Sequence, residues 1–278
     1  LVVIPAPFGA VGCETQDRCD ALRRSDRSYN APLGAVGVDY GNWCVLVRPG
    51  VPGAAATVQG CGVNRLPIAV TGTIRTVGAA ARQTYWVERI TDAEGDHLRA
   101  GGDIPAGPPQ QLYRAMSDPV RGSALLLKEM LGELGVPVSG EVVTGAGAAP
   151  ATAQVLAEVQ GLPLGEQLGR MLRYSNNYIA DVLTLDLAAD LAGTAPAQLS
   201  TAASVLADFV AQRRPPGTAA PLLRSGSGLT PENLLSANDL VAVLAHDGQH
   251  AVPRDQAARR GRGDAPAAFH AFGLAGAC

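Results

Sequence analysis

The sequence predicts an α+β chain of more than one domain. A β-rich region with one helix spans residues 1–150, a helical region follows over 151–246, and a tail runs over 247–278. Three observations predict this. From residue 34 to 105, short runs of alternating apolar and polar residues are separated by Gly and Pro, the pattern of half-buried strands. From 165 to 191 the apolar residues instead recur every three or four positions, the period of amphipathic helices. Beyond His246 neither period continues, and the Ala-, Arg-, Gly- and His-rich stretch is expected to be an unstructured tail or out-of-frame translation.

Taken in order, residues 1–34 are irregular, and the charged stretch 17–27 is expected to be a solvated turn or short helix. Runs 35–40 and 43–48 flank Gly41-Asn42, a two-residue turn signal that predicts a hairpin ended by Pro49-Gly50. Further strands are expected at 68–77 and 84–90, with a short one within 97–105. Asp118-Pro119 opens a helix, aspartate as N-cap and proline in the first turn. Leu125, Leu127, Leu131 and Leu134 are its expected core face, and Gly135 its end. A strand at 138–143, a small-residue connector at 145–152 and another strand at 153–159 lead to a helix pair.

Leu168, Met171 and Leu172 mark the buried face of the first helix of that pair. Ile179, Val182, Leu183, Leu187 and Leu191 mark that of the second. Between them lies Tyr174-Ser175-Asn176-Asn177-Tyr178. A third helix over 197–212 is expected to bury Val205, Leu206, Phe209 and Val210. A glycine-flanked serine turn at 224–229 follows, and then a fourth helix, through Leu244, capped by Ser236.

Composition narrows the function classes. With 47% apolar and 17% charged residues over 278 positions, the chain is globular and able to bury a sizeable core. A net charge of −3, with no basic block outside the Arg-rich end, gives no reason to expect a nucleic-acid partner. No apolar run approaches the roughly 20 residues of a membrane span, and 1–4 is too short for a signal peptide. Beginning at Leu1 rather than Met, the chain is expected to be a piece, and if the protein is exported its signal is expected upstream. The five cysteines lack C-x-x-C spacing and have no histidine nearby, so no metal or other cofactor is expected. Cys44 and Cys61 stand in strand-like contexts suited to a cross-strand disulfide, and Cys13 with Cys19 suits a small closed loop. Buried free thiols fit equally well.

Ser-x-Asn occurs three times, at Ser28-Tyr29-Asn30, Ser175-Asn176-Asn177 and Ser236-Ala237-Asn238. The third, followed by Asp239, has the look of a helix cap. Only the middle one separates two amphipathic helices. There Ser175 or Asn176 suits a cap, while Ser175 and Asn177 together suit a hydroxyl proton shuttle and a carbonyl-binding amide in serine acyl transfer.

Five segments, in one order, resemble the class C low-molecular-mass penicillin-binding proteins, the D-alanyl-D-alanine carboxypeptidase/endopeptidases. They are Ser28-Tyr29-Asn30-Ala31-Pro32-Leu33-Gly34-Ala35; Val47-Arg48-Pro49-Gly50; the Asp118-Pro119 helix with Leu134-Gly135-Val136-Pro137-Val138-Ser139-Gly140; Tyr174-Ser175-Asn176-Asn177-Tyr178-Ile179-Ala180-Asp181; and Gly226-Ser227-Gly228-Leu229 with Glu232-Asn233 and Ser236-Ala237. The resemblance implies β-rich accessory domains over 1–150, followed over 151–246 by the helical part of a β-lactamase/transpeptidase-like catalytic domain, incomplete here. It implies acyl-enzyme chemistry on peptidoglycan stem peptides in the periplasm or otherwise outside the cytoplasm, with β-lactams as further ligands of the full-length family. Ser175 then matches the serine that relays a proton to the leaving D-alanine, and Asn177 the amide that holds the substrate carbonyl. Ser227 becomes a substrate-side neighbour, although the family more often has aspartate where Ser225 stands.

The chain departs from that family at two motifs. Lys128 is its one lysine and Leu125 stands three residues before it, so neither Ser-x-x-Lys nor Lys-Thr-Gly exists in these residues. Ser123 lies five positions from Lys128, off the shared helical face, and Lys128 is expected to be solvated. The missing motifs are expected upstream of Leu1 and downstream of about His246, which makes this a central fragment that hydrolyses nothing as written. A nucleophile elbow at Ser227 is excluded because Ser225 and Leu229 occupy its glycine positions, leaving His97, His246, His250 and His270 without a serine to serve. The alternative function is a non-catalytic module that contacts glycan or a partner protein.

Overall fold

The computed structural model describes residues 1–5, 8, 12–145, 151–193, 198–215 and 219–250; the 251–278 part of the expected tail lies outside them. In chain order the elements begin with β1 (Val2–Val3), α1 (Gln16–Ala21), β2 (Arg24–Ser25), β3 (Asn42–Arg48), β4 (Thr57–Gly60), β5 (Val70–Gly72) and β6 (Arg75–Val77). Next come β7 (Trp86–Asp92), β8 (Gly95–Gly101), β9 (Asp103–Pro105), β10 (Gln110–Ala115), α2 (Pro119–Glu133) and β11 (Val143–Thr144). The helices α3 (Leu164–Tyr174), α4 (Asn177–Ala192), α5 (Leu199–Ala211) and α6 (Ala237–His250) complete the chain. This is a mixed α/β architecture with small open sheets.

Two sheets make the β-rich part, ordered β10-β3-β4 and β2-β7-β8-β5, with β6-β9 and β1-β11 as short parallel pairs. Their inward residues Trp43, Val45, Val47, Val87, Leu98 and Ala100 share one core with Ile74, Ile104, Met116 and Leu126. Asp96 pins the sheets to the start of α2 by accepting from Trp43 Nε1 (2.8 Å), Thr91 Oγ1 (2.6 Å) and the Ser117 amide (3.0 Å). A second core gathers Tyr178, Leu185, Ala188, Leu199 and Ala202 of α4 and α5 with Phe8, Ala31, Leu33 and Ala115 from earlier in the chain. Both cysteine pairs close as disulfides, Cys13–Cys19 and Cys44–Cys61. The second bridges the adjacent antiparallel strands β3 and β4 and closes a 17-residue separation, which limits the unfolded chain by about 3 kcal/mol.

Several expectations need correction. No hairpin forms around Gly41-Asn42. Asp39, Tyr40 and Gly41 are all left-handed (φ 50°, 59° and 76°), so 38–40 makes a single 3-10 turn. The partners of β3 are instead β10 and β4, and strands β4 and β10 had no expectation attached. The run 68–77 is split into β5 and β6, and of 138–143 only Val143 lies in a strand, β11. Residues 153–159 pair with nothing, and Val155 and Leu156 are 85% and 94% exposed, because strand composition without a partner strand makes no sheet. The segment 17–27 does form helix α1, yet Arg18 within it is buried.

Helix faces match those expected only in part: Leu125 of α2, Val182 of α4 and Val205 of α5 pack on the cores and Ile179 and Val210 are buried, while other expected residues are not. Asp118 caps α2 as predicted, its carboxylate accepting from the Arg121 amide (2.9 Å). The buried face, however, is Val120, Gly122, Ser123, Ala124 and Leu126, while Leu134 is 77% exposed. Small residues win because the helix lies close to its neighbours: a Cβ on Gly122 would meet Met116 Sδ at 2.4 Å. In α4 the buried residues are Tyr178, Ile179, Asp181, Thr184, Leu185 and Ala188, with Leu187 and Leu191 exposed. In α5 they are Leu199, Ala202, Ala203 and Val210, and Phe209 lies at the surface. The stripe of α3, Leu168 and Leu172, is exposed. Helix α6 continues past Leu244 to His250.

Candidate active site

The junction between α3 and α4 is built by two residues with different tasks. Ser175 ends α3 in the left-handed conformation (φ 49°, ψ 47°), its amide bonded to the Met171 carbonyl. For a residue with a Cβ this costs roughly 1–2 kcal/mol. Asn176 then caps α4, its side-chain oxygen accepting from the Ile179 amide (2.9 Å). With capping done by Asn176, the Ser175 side chain is left exposed and Asn177 takes the first helical position. The Asn177 Nδ2 group donates to the Tyr29 carbonyl (3.3 Å) and keeps a second N–H.

The same short segment is gripped at two further carbonyls. Arg18 donates to the Ala31 carbonyl, and the Tyr178 hydroxyl donates to that of Gly34 (2.8 Å). Burial of Tyr178 pushes its phenol far above the ordinary tyrosine range, so it remains a donor at every working pH. Gly37 and Gly41 lie against the same ring: a Cβ at position 37 would come within 2.1 Å of the Tyr178 hydroxyl oxygen. The left-handed turn therefore packs on α4, and in α3 Arg170 pairs with Glu166 (2.9 Å). Within the turn, burial raises the Asp39 carboxyl to about 6.

Below Asn177, one turn along α4, stands the fully buried Asp181. It pairs with Arg18 and accepts from the Ser227 amide and hydroxyl (2.8 Å each). Ser227 also accepts from the Leu229 amide (3.2 Å), so its hydroxyl is committed to the framework. Asn233 completes the turn, accepting from the amides of Arg224 (2.7 Å) and Ser225 (3.2 Å). Ser225 itself is buried, its hydroxyl accepting from Gly228 (3.2 Å). The structure thus gathers Ser175, Asn177 and, through Asp181, the Ser227 turn around one end of α4.

Three residues of this arrangement, Arg18, Tyr178 and Asp181, carried no assigned role from the sequence. A signal existed for one of them. Asp181 follows Asn177 by four positions inside an otherwise apolar helix, and a carboxylate there must find a partner if that face is buried. Lys128, expected to be solvated, is half-buried on α2 and donates to the Gly140 carbonyl. Among the described residues no three His, Cys, Asp or Glu side chains gather as a metal site requires, and no helix is long and apolar enough to cross a membrane.

Comparisons with known proteins show the family and the fold. A D-alanyl-D-alanine carboxypeptidase from Actinomadura sp. (strain R39) is 29% identical over 237 residues, covering 80% of this chain and 41% of the relative. Two crystal structures of penicillin binding protein 4 from Haemophilus influenzae share the fold. One, complexed with a β-lactam, has a TM-score of 0.55 at 20% identity over 81% of this chain and 50% of its own. The other has a TM-score of 0.57 at 21% identity over 87% and 51%. The chain spans about half the length, or less, of these relatives. The family model for D-Ala-D-Ala carboxypeptidase 3 (S13) matches residues 19–257, and the chain belongs to that family.

Proposed function

We propose that this chain supplies the Ser-x-Asn part of a serine acyl-transfer centre that removes the terminal D-alanine from peptidoglycan stem peptides outside the cytoplasm. The observation that carries the reading is the α3–α4 junction. It spends backbone strain at Ser175 to leave a hydroxyl uncommitted beside an anchored amide, and strain of that kind clusters at functional sites. When the nucleophile attacks the D-Ala-D-Ala carbonyl, the new C–O bond forms and the C–N bond to the leaving residue breaks. The proton released by the attacking hydroxyl is relayed through the Ser175 hydroxyl to the departing amine, and the second N–H of Asn177 holds the peptide carbonyl in place. Ser227 joins this arrangement as a framework residue held by Asp181.

Neither the nucleophile with its lysine nor the Lys-Thr-Gly strand is present in these residues, so this polypeptide alone forms no acyl-enzyme. The exposed stripes of α3 (Leu164, Leu168, Leu172) and α6 (Leu240, Val241, Leu244) support an incomplete catalytic domain, since helices normally bury such faces. Both disulfides support a location outside the reducing cytoplasm.

The test has two arms. Fluorescent penicillin incubated with the chain should leave no adduct after denaturation; a surviving adduct would show a nucleophile in these residues. In a chimera completed with the flanking parts of the Actinomadura carboxypeptidase, Ser175→Ala and Asn177→Ala should each slow acylation by about 100- to 1,000-fold. Unchanged acylation would refute their roles.

A further inference from the structure

Helix α5 does not supply its own N-terminal cap, since Gln198, the residue before it, makes no side-chain hydrogen bond to the first turn. The Leu199 and Ser200 amides donate instead to the carboxylate of Glu14, 185 positions before Leu199 and 3.1 Å from the Ser200 nitrogen. Glu14 is the first residue of the loop closed by the Cys13–Cys19 disulfide, and Arg18 is the last. Between them Thr15 opens α1, a six-residue helix too short to hold together alone. From α1, Arg18 reaches the Ala31 carbonyl and Asp181, and the Asp17 carbonyl accepts from Asn30 Nδ2 (3.0 Å). One disulfide loop therefore caps α5 and also fastens residues 30 and 31 to α4. Tyr29, next in that segment, holds the Asn177 amide through its carbonyl.

The two disulfides differ in access and in support. Cys13 and Cys19 are both partly exposed, whereas Cys44 of the other bridge is buried. An attacking thiolate must reach a sulfur, so the exposed bridge is the one that exchanges. The Cys44–Cys61 bridge also joins strands that ladder hydrogen bonds already hold together. Loop 13–19 has no partner strand.

We infer that the Cys13–Cys19 disulfide is a redox-sensitive latch on the Ser175–Asn177 site. One thiolate of a dithiol reductant attacks a sulfur of the bridge, the S–S bond breaks and a mixed disulfide forms. The second thiol then displaces that sulfur, so both cysteines leave as thiols and the reductant as a cyclic disulfide, with two electrons and two protons passed to the protein. Once the loop is open, no cross-link holds Glu14 and Arg18 in register, α5 loses its cap, and the segment that anchors Asn177 loosens. Oxidation reverses this, so the site is set only where disulfides form. The inference takes Ser175 and Asn177 as the site proposed above, but its test reads backbone protection rather than acylation, so each can fail without the other.

With Cys278 first blocked by iodoacetamide, the full chain is titrated with dithiothreitol, freed thiols are mapped by alkylation and mass spectrometry, and hydrogen–deuterium exchange is followed peptide by peptide. Cys13 and Cys19 should be freed while Cys44–Cys61 persists. At that point exchange should quicken at least about tenfold over residues 176–183 of α4 and 199–204 of α5, stay unchanged over β3 and β4, and return to its starting rate on reoxidation. In the oxidised chain, Glu14→Ala should quicken exchange over 199–204 and leave 176–183 as it was. Simultaneous opening of both bridges, unchanged exchange over 176–183 after reduction, or a loss of protection that extends to β3 and β4 overturns the proposal. So does a Glu14→Ala chain that exchanges over 199–204 at the parent's rate.

Discussion

Replacing Arg18 with alanine removes the guanidinium that joins the Ala31 carbonyl to Asp181; the Arg18 and Asp181 side chains are 4% and 0% exposed. The carboxylate keeps its two Ser227 donors but loses its countercharge inside the protein. Breaking a buried pair from one side costs about 3–5 kcal/mol, because the remaining charge is stranded. An exposed pair would cost about 1 kcal/mol or less. Urea denaturation of the parent, Arg18→Ala, Asp181→Asn and the double variant closes a thermodynamic cycle. The expected result is a loss of at least about 3 kcal/mol for Arg18→Ala, most of it recovered when Asp181 is also neutralised. Independent losses that simply add, or a loss under about 1 kcal/mol, would refute the claim that this pair is a buried link between α1 and α4.

Three other outcomes follow from the geometry. Ser175→Gly should raise stability by about 1 kcal/mol, since glycine adopts the left-handed conformation without a Cβ clash; a lower denaturation midpoint would contradict the strain. Gly37→Ala should lower the melting temperature and cost about 1–3 kcal/mol, because its methyl group must displace the Tyr178 hydroxyl. Burial raises the carboxyls of Asp39 and Asp186 from the ordinary 3.8 to about 6, so the native state binds more protons than the unfolded chain between those values. Their contribution is present below pH 3.8 and lost as pH rises through about 6, on the order of 1–3 kcal/mol each. Asp39→Asn with Asp186→Asn should flatten that part of the stability–pH curve, and an unchanged slope would rule the pair out.

Local chemistry was legible in the sequence, and long-range pairing was not. Asp118-Pro119 marked a helix start and Ser175-Asn176-Asn177 a helix junction, because caps and breaks are decided by neighbours in the chain. Gly41-Asn42 misled, since a turn signal says nothing about which strand is available. β3 found β10, where Asn42 lies opposite Ala115. Helix faces were misplaced in part for a related reason. Leucines mark a buried stripe only where something covers them, and the closest contacts of α2 and α5 also use small residues, Gly122 and Ala124 in one and Ala202 and Ala203 in the other. Arg18 and Asp181 stand 163 positions apart, and no local pattern announces such a pair.

The grip on residues 29–34 also bears on how this molecule can evolve. Three donors from two helices reach the carbonyls of Tyr29, Ala31 and Gly34, so the segment works as a ruler whose graduations are read from outside. Adding or deleting one residue between its marks would present the wrong oxygen to at least one donor. Loops usually drift in length; this one, exposed at Tyr29 and buried from Asn30 to Gly34, should keep its count.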